Sequence, residues 1–376
     1  MPFDAAEVAR QIQESRGGVR AADDERERAL EMAARIYRAV GETEWEQRVQ
    51  DAAARRWVAT PLSPLRSLTR YAPCPPEYCV TATDSSFVAP DKHRGALCHL
   101  INVGRVMIRY SDPQAAELDN TPNHYPEVPG DMEDTMSSRV LSAKCALREL
   151  QELYEWSRLY KPELAMVDGS LMQLVHVLSK EATVVGLMQQ YLDILEGFER
   201  IGVPVLGYIS RPASGMVMRA IRLLGCEQPI PHEERPAEPC SCTPLWTIDD
   251  GDLFNALLGE GELSPLFQAL YRDLVGPNAY IAQNTAFAYL GTEYELARIE
   301  FPMWVAERGL LGRSVEIVLH QCGLGGGYPN ALTLAHQFAV LHNADREGYY
   351  WLLERAGLLR PPTEKARGKR MIGQAI

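Results

Sequence analysis

No run of this chain approaches eighteen consecutive apolar residues, so nothing in it reads as a transmembrane helix. The opening stretch "MPFDAAEVARQIQESRGG" lacks the apolar centre of a secretory signal. Together these absences make a cytoplasmic protein with no membrane role the expectation. Positive charge is in deficit as well: 38 Lys and Arg face 50 Asp and Glu, a formal net charge of −12. A surface coated in basic residues for gripping duplex DNA is therefore excluded. Nucleic acid itself is not, because arginines can line one channel of an otherwise acidic molecule.

The usual cofactor signatures are missing too. There is no G-x-x-x-x-G-K-[ST] loop, no H-E-x-x-H and no G-x-S-x-G. Gly323, Gly325, Gly326 and Gly327 crowd together but do not spell G-x-G-x-x-G. ATP hydrolysis, dinucleotide redox chemistry and zincin proteolysis lose their common marks. The eight cysteines (74, 79, 98, 145, 226, 240, 242 and 322) are scattered and read as thiols. Cys240 and Cys242, in "PCSC", are too close for zinc-ribbon spacing. His232 ahead of them echoes a nucleobase deaminase motif, but with the wrong cysteine spacing. A proline-rich surface loop is the expectation there.

What is present supports a large core: 46% of the 376 residues are hydrophobic and 23% are charged. Residues 1 to about 58 alternate charge and alanine at helical spacing, which predicts one long amphipathic helix. "YCVTATDSSF" and "GALCHLINVGRVMIRY" read as paired strands. "DPQAAELDNTPNHYPEVPGD" reads as a polar loop. Helix from Met132 to Tyr160, strand "PELAMVDGSL", helix from about Lys180 and strand "VPVLGYIS" follow. A helix from Gly215 to Leu224 precedes an insertion. "NTAFAYLG" and "LARIEFPMWV" predict two more strands, and His320 to Glu347 predicts loop, then helix. The order implies an α/β fold with a mixed sheet flanked by helices. The expected domains are a helical arm over 1–70, a main domain over 71–350 with an insertion at about 226–271, and a helix end with a basic tail over 351–376. The tail's Lys365, Arg367, Lys369 and Arg370 are candidates for DNA or partner contact, or for simple solvation.

Two strand-end acids stand out, Asp84 in "TATDSS" and Asp168 in "MVDGSL". Strand ends are where an α/β sheet presents chemistry, and small following residues let a ligand approach the backbone. Each alone could be a turn or cap aspartate. Carboxylates gathered at one sheet end repel unless a hard divalent cation lies between them. A third acid can come from the preceding helix. Steps of about 100° put Glu149 on the stripe of Cys145, Leu153 and Trp156, with Glu152 as the alternative. His336 has apolar helical neighbours in Leu332, Ala335, Ala339 and Val340. They predict an inward-facing ring, as a core histidine or a site residue, and Tyr328 could face the same pocket. Glu300 beside Arg298 predicts an ion pair.

With "TATDSS", "MVDGSL", "LGYISRP", "RIEFPMWV" and "GGGYPNALTLAHQFAV" in this order, the chain resembles the NurA family of nucleases. The resemblance implies an RNase H-like fold and a homodimer. It implies Mn²⁺-dependent (or Mg²⁺-dependent) cleavage of DNA, as a 5′ to 3′ exonuclease and single-strand endonuclease. It implies a hexameric HerA-type ATPase partner in DNA end processing or phage defence. Carried over by motif, Asp84, Asp168 and the helix acid Glu149 hold metal, while Tyr328 and His336 complete the site. Arg211, ending "LGYISR", is a candidate phosphate contact. Ser85 stands where the family commonly has glycine. Two rival readings are a nuclease-like scaffold that docks the ATPase, and an RNase H-like nuclease of other specificity.

Overall fold

The computed structural model describes residues 4–52, 57–91, 94–111, 113–126, 138–176, 182–227, 235–236, 238–271, 274 and 276–359. The basic tail, His232 and part of the insertion lie outside them. Along the chain run α1 (Ala5–Ala39), α2 (Glu42–Ala52), β1 (Val58–Pro61), β2 (Thr69–Arg70), β3 (Cys79–Val88), β4 (His99–Arg109) and β5 (Ala115–Tyr125). Then come α3 (Ser138–Tyr160), β6 (Leu164–Asp168), α4 (Gln173–His176), α5 (Ala182–Ile201), β7 (Val205–Ser210) and α6 (Met216–Leu224). A 3₁₀ turn (Thr243–Thr247) leads to α7 (Asp250–Leu257), β8 (Glu262–Leu263), β9 (Phe267–Leu270), α8 (Gly276–Asn284), β10 (Thr285–Gly291) and β11 (Leu296–Pro302). The chain closes with α9 (Met303–Glu307), α10 (Leu311–Leu324), α11 (Asn330–Ala339) and α12 (Asn343–Arg355).

These elements form two compact units. The first takes Met1–Arg70, Ser210–Leu274 and Ala286–Arg298; the second takes Tyr71–Ile209, Val275–Thr285 and Ile299–Ile376. The 1–70 segment is thus one of three pieces of the first unit. Its expected single helix is two. Asp4 caps α1 by accepting from the Ala6 and Glu7 amides, and extended backbone at Val40, just before Gly41, ends it. Tyr37 and Trp45 are buried and anchored, their hydroxyl and indole N–H donating to the Leu65 and Ala59 carbonyls. Within this unit β9 pairs antiparallel with β1 and β10, and β8 with β2 and β10.

In the second unit the strand order is β7-β6-β3-β4-β5. β3, β4 and β5 are antiparallel neighbours, while β3, β6 and β7 run parallel. An antiparallel meander followed by parallel strands on its other side is an RNase H-like sheet. β3 is buried along most of its length because it has a partner on each side. β5 corrects the sequence reading, which made 112–131 a polar loop: Ala115–Tyr125 within it is a strand. It is an exposed edge strand, in register with all eleven residues of β4. An edge strand needs no apolar run and tolerates a proline such as Pro122.

The glycine-rich stretch also differs from the expected loop. His320 to Leu324 finish α10, a helix the sequence reading did not separate out. Gly326 (φ +67) and Gly327 (φ +118) then take the left-handed turn, and the Gly327 amide donates to the Cys322 carbonyl at 2.8 Å. That six-to-one bond closes a helix C-terminus in the Schellman manner. The glycines are a helix stop that delivers Tyr328 and the first turn of α11.

Candidate active site

The two aspartates come from adjacent strands: Asp168 ends β6 as expected, whereas Asp84 corrects the strand-end reading, because β3 runs on past it to Val88 against β4. Thr83 pairs with Val167 across β3 and β6, so Asp84 and Asp168 each stand one residue further on. Strands about 4.8 Å apart bring such side chains close together. Asp84 is 9% exposed, whereas Asp168 is exposed at the strand's end. The turn after Asp168 is braced by Glu300 of β11, itself 1% exposed. Glu300 accepts from the Ser170 hydroxyl at 2.6 Å and the Met172 amide at 3.3 Å.

Helix α3 lies against β3, with the Thr83 hydroxyl donating to the Glu149 carbonyl at 3.1 Å. One turn of this helix separates the two candidate glutamates by function. Glu149 accepts a short hydrogen bond from the Ser85 hydroxyl, directly beside Asp84. Glu152 points elsewhere and pairs with Arg105 at 2.9 Å and Arg148 at 2.7 Å. The helical spacing that favoured Glu149 therefore matches its position next to the aspartates.

The histidine is delivered by α11, which crosses directly over β4. A Cβ on Gly104 would meet the Ala335 carbonyl oxygen at 2.1 Å, so only glycine permits the crossing. Gly104 is the register partner of Asp84. The Ser86 hydroxyl (2.5 Å) and the buried Asn102 amide (2.9 Å) donate to the Ala339 carbonyl and pin the helix's end. His336 then places Nδ1 2.6 Å from Asp84 Oδ2. The ring does not face inward as its neighbours suggested, for its side chain is 63% exposed. Leu332, Ala335 and Ala339 fill the buried face, and His336 rides on the rim. Tyr328 stacks edge-on against Tyr208 (5.2 Å between centroids, 88° between planes), and its buried hydroxyl favours the ionised form of Asp168.

Crowding shows in the acids' affinity for protons. The protein packed around Glu149 pushes its pKa up to about 8, and the charges of Asp84 and Asp168 add to this against the Ser85 bond. Glu149 keeps some exposed surface, yet its carboxylate is enclosed. Asp168 is also raised, by the same desolvation and by Asp84, with Tyr328 and His336 opposing. Among the described residues no lysine or arginine forms an ion pair with any of the three. Their ligand atoms are not all within 4.8 Å of one another, a span that a single small ion would have to draw in.

Five of the six sequence candidates thus share the second unit, and Asp84, Glu149, Asp168, Tyr328 and His336 converge there. Arg211 belongs to the first unit. Its side chain is 85% exposed, 3.8 Å from Glu295, on left-handed backbone (φ +44). Sequence reasoning missed the donor role of Ser85, the role of Gly104 and the bracing role of Glu300. The signal for Ser85 was its place after a strand-end acid; Gly104, inside a β-branched strand, was the mark of a close backbone approach.

A model of the NurA domain matches residues 79–341, well over half of the chain. The chain belongs to the NurA family. NurA proteins are nucleases, and all five converging residues lie within the matched span. No match was found among curated proteins. Similar solved structures include endonuclease V from Bacillus subtilis (12% identity, 83% of this chain and 95% of that chain, TM-score 0.34). RuvC from Thermus thermophilus (14% identity, 48% and 96%, TM-score 0.17) and the exonuclease PhoExo I from Pyrococcus horikoshii (11% identity, 60% and 98%, TM-score 0.22) are others. Likenesses this distant carry no argument about chemistry.

The donors suit a hard divalent cation. All three acids offer carboxylate oxygen, the ligand that Mg²⁺ and Mn²⁺ prefer. The raised pKa values of Glu149 and Asp168 mark a place where negative charge is under-compensated, which a cation would reverse.

Proposed function

We propose that this NurA-family chain hydrolyses DNA phosphodiesters with Mn²⁺, or Mg²⁺, held by Asp84, Asp168 and Glu149. The observation that carries the reading is the meeting of three acids from β3, β6 and α3 with, among the described residues, no arginine or lysine in an ion pair with them. When bound, divalent ions would supply Lewis acidity to the scissile phosphate and acidify the attacking water.

The chain's own residues supply orientation and proton handling. A carboxylate only accepts, so the Asp84–His336 contact puts the proton on Nδ1. That tautomer leaves Nε2 on the exposed side of the ring, free to take a proton from water or, once protonated, to donate to a phosphate oxygen. Ser85 holds Glu149 in place by donating to it, and the Tyr328 hydroxyl favours the ionised form of Asp168. Glu149 keeps its proton up to about pH 8 until a cation offsets the neighbouring charges. Arg211, exposed and only loosely paired, is suited to a phosphate contact.

The fuller reading is a cytoplasmic homodimer acting as a 5′ to 3′ exonuclease and single-strand endonuclease. It would work with a HerA-type ring ATPase in end processing or phage defence. The family supports this reading, and no helix among the described residues is long and apolar enough to cross a membrane. The test is degradation of DNA labelled at the 5′ or the 3′ end, with Mn²⁺, by wild type and Asp168→Ala. Loss in the variant supports the site, and the label released first gives the polarity. Equal activity of the two proteins would sink the assignment. Cleavage that appears only on adding the ATPase would move the chain towards a partner-dependent subunit.

A further inference from the structure

In the first unit, three of the eight cysteines come together. Cys226 follows α6 after Gly225, while Cys240 and Cys242 lead into the 3₁₀ turn. They were expected on a surface loop. Instead Cys226 and Cys242 are 2% and 1% exposed, and Cys240 is half-buried. The Cys240 sulfur lies 3.8 Å from that of Cys226 and 3.6 Å from that of Cys242. All three sulfurs fall within 4.8 Å of one another.

These spacings have a specific meaning. Zinc–sulfur bonds of about 2.3 Å in a tetrahedron set sulfurs about 3.8 Å apart. A disulfide brings two sulfurs to about 2.05 Å and leaves the third out. Here the three are arranged around a common point rather than as a pair and a spare.

The backbone already holds them there. The Cys242 amide donates to the Cys240 sulfur. The Thr243 amide donates to the Cys240 carbonyl at 3.0 Å, and the Cys240 amide to the Thr243 hydroxyl at 2.8 Å. The Ser241 hydroxyl reaches back to the Gly225 carbonyl at 3.1 Å, joining the two sides. At Gly225 a Cβ would fall 2.9 Å from Ile36 and 3.0 Å from Leu245, so the neck has little room to shift. Sulfur ligands of this kind select against Mg²⁺ and Mn²⁺ and for thiophilic ions.

We propose that Cys226, Cys240 and Cys242 form a binding site for a thiophilic divalent cation of the zinc class, which clamps the neck of the 226–242 segment. Each thiol releases its proton to solvent on binding, and water or a small ligand fills the fourth position. The site is separate in chemistry from the carboxylates, and does not depend on the nuclease reading.

The test titrates the reduced, metal-free full-length protein with Co²⁺, then displaces it with Zn²⁺. In wild type a thiolate-to-cobalt charge-transfer band should appear with the stoichiometry of one ion per chain and be abolished by Zn²⁺, whatever further Co²⁺ the carboxylates take up. Asp168→Ala and Cys98→Ser should keep that band. Cys240→Ser should lose at least ten-fold in affinity. No charge-transfer band in wild type, or a Cys240→Ser titration identical to wild type, would overturn the proposal. A Cys226–Cys240 disulfide in protein purified without oxygen would do so too. Should Cys240→Ser fail to fold, alkylation of native wild type followed by peptide mapping replaces it. Zn²⁺ should slow labelling of Cys240 at least ten-fold, and equal labelling with and without Zn²⁺ counts against the site.

Discussion

Asp250 and Glu149 are both acids enclosed by protein, one in each unit. Asp250 is 0% exposed and surrounded by donors: the Ser214 hydroxyl (2.9 Å), the Val217 and Met218 amides (3.2 and 2.7 Å) and the Tyr289 hydroxyl (2.8 Å). It satisfies the open N-terminus of α6 with its charge, where the helix dipole favours an anion. Among the described residues Glu149 has only Ser85 to donate to it, and two neighbouring aspartates. A buried carboxylate ringed by donors is finished, and its role is to hold the fold. One ringed by other acids is unfinished, and the partner we propose for it is a cation from solution. This contrast separates structural from functional acids more sharply than burial does, since burial is common to both.

The largest effect expected from breaking the contrast is on catalysis. Asp84→Ala or Asp168→Ala should lower metal-dependent cleavage on the order of 10³-fold, about 4 kcal/mol of transition-state stabilisation. Thermal unfolding without metal should stay level or rise, because each change removes a like charge from the cluster. A large fall in melting temperature together with the lost activity would mean that these acids serve the fold as Asp250 does.

Glu149 gives the next effect, through pH. Its folded pKa of about 8 lies above its ordinary 4.5, so between those values the folded chain holds a proton that the unfolded chain has released. The unfolded state then binds fewer protons, and stability from this group falls as pH rises from about 4.5 to 8. Metal affinity should climb over the same window as binding expels the proton, and flatten above it. Glu149→Gln should remove both slopes and cut activity by ~100-fold or more, as losing one aimed electrostatic group does. Urea unfolding and Mn²⁺ titration at a series of pH values measure this. Unchanged slopes in the variant would show that the proton belongs to another group.

Asp250→Asn tests the other side of the comparison. Its amide nitrogen would face a donor in place of an oxygen, leaving at least one buried group unsatisfied at roughly 1–3 kcal/mol. Urea denaturation should record that loss, with cleavage at low temperature within about twofold of wild type. Lost cleavage in a folded variant would tie the first unit to the chemistry.

How much of this was legible depends on how far each interaction reaches along the chain. The β3–β4 pairing and the β6 strand could be read because apolar runs announce strands, and Asp84 and Asp168 came with them, although the polar half of β3 beyond Asp84 did not read as strand. Glu149 could be chosen over Glu152 from the turn of one helix. Gly104 could not be given its role, because what requires it is a carbonyl in α11, more than two hundred residues away. His336 was placed inward because its apolar neighbours were visible and the Asp84 carboxylate at the rim was not. β5 was hidden by composition, since a solvated edge strand carries the same polar residues as a loop. Cys226 stood apart from Cys240 in sequence, so only folding could reveal three thiols at one point.

Glu152 gives the smallest expected effect and the narrowest test, because it differs from Glu149 only in its partners. Its carboxylate is 12% exposed and balanced by Arg105 and Arg148. Glu152→Gln keeps the shape and removes the charge. Arg105 still has Asp119 and Arg148 still has Asn123 and Gln151, so neither cation is stranded. The cost should be about 1 kcal/mol, at the upper end for a partly exposed ion pair. Cleavage should stay within about twofold of wild type. An inactive Glu152→Gln beside an active Glu149→Gln would transfer the helix acid's role by one position. It would also mean that two arginines, rather than an ion, are the partners this helix offers the site.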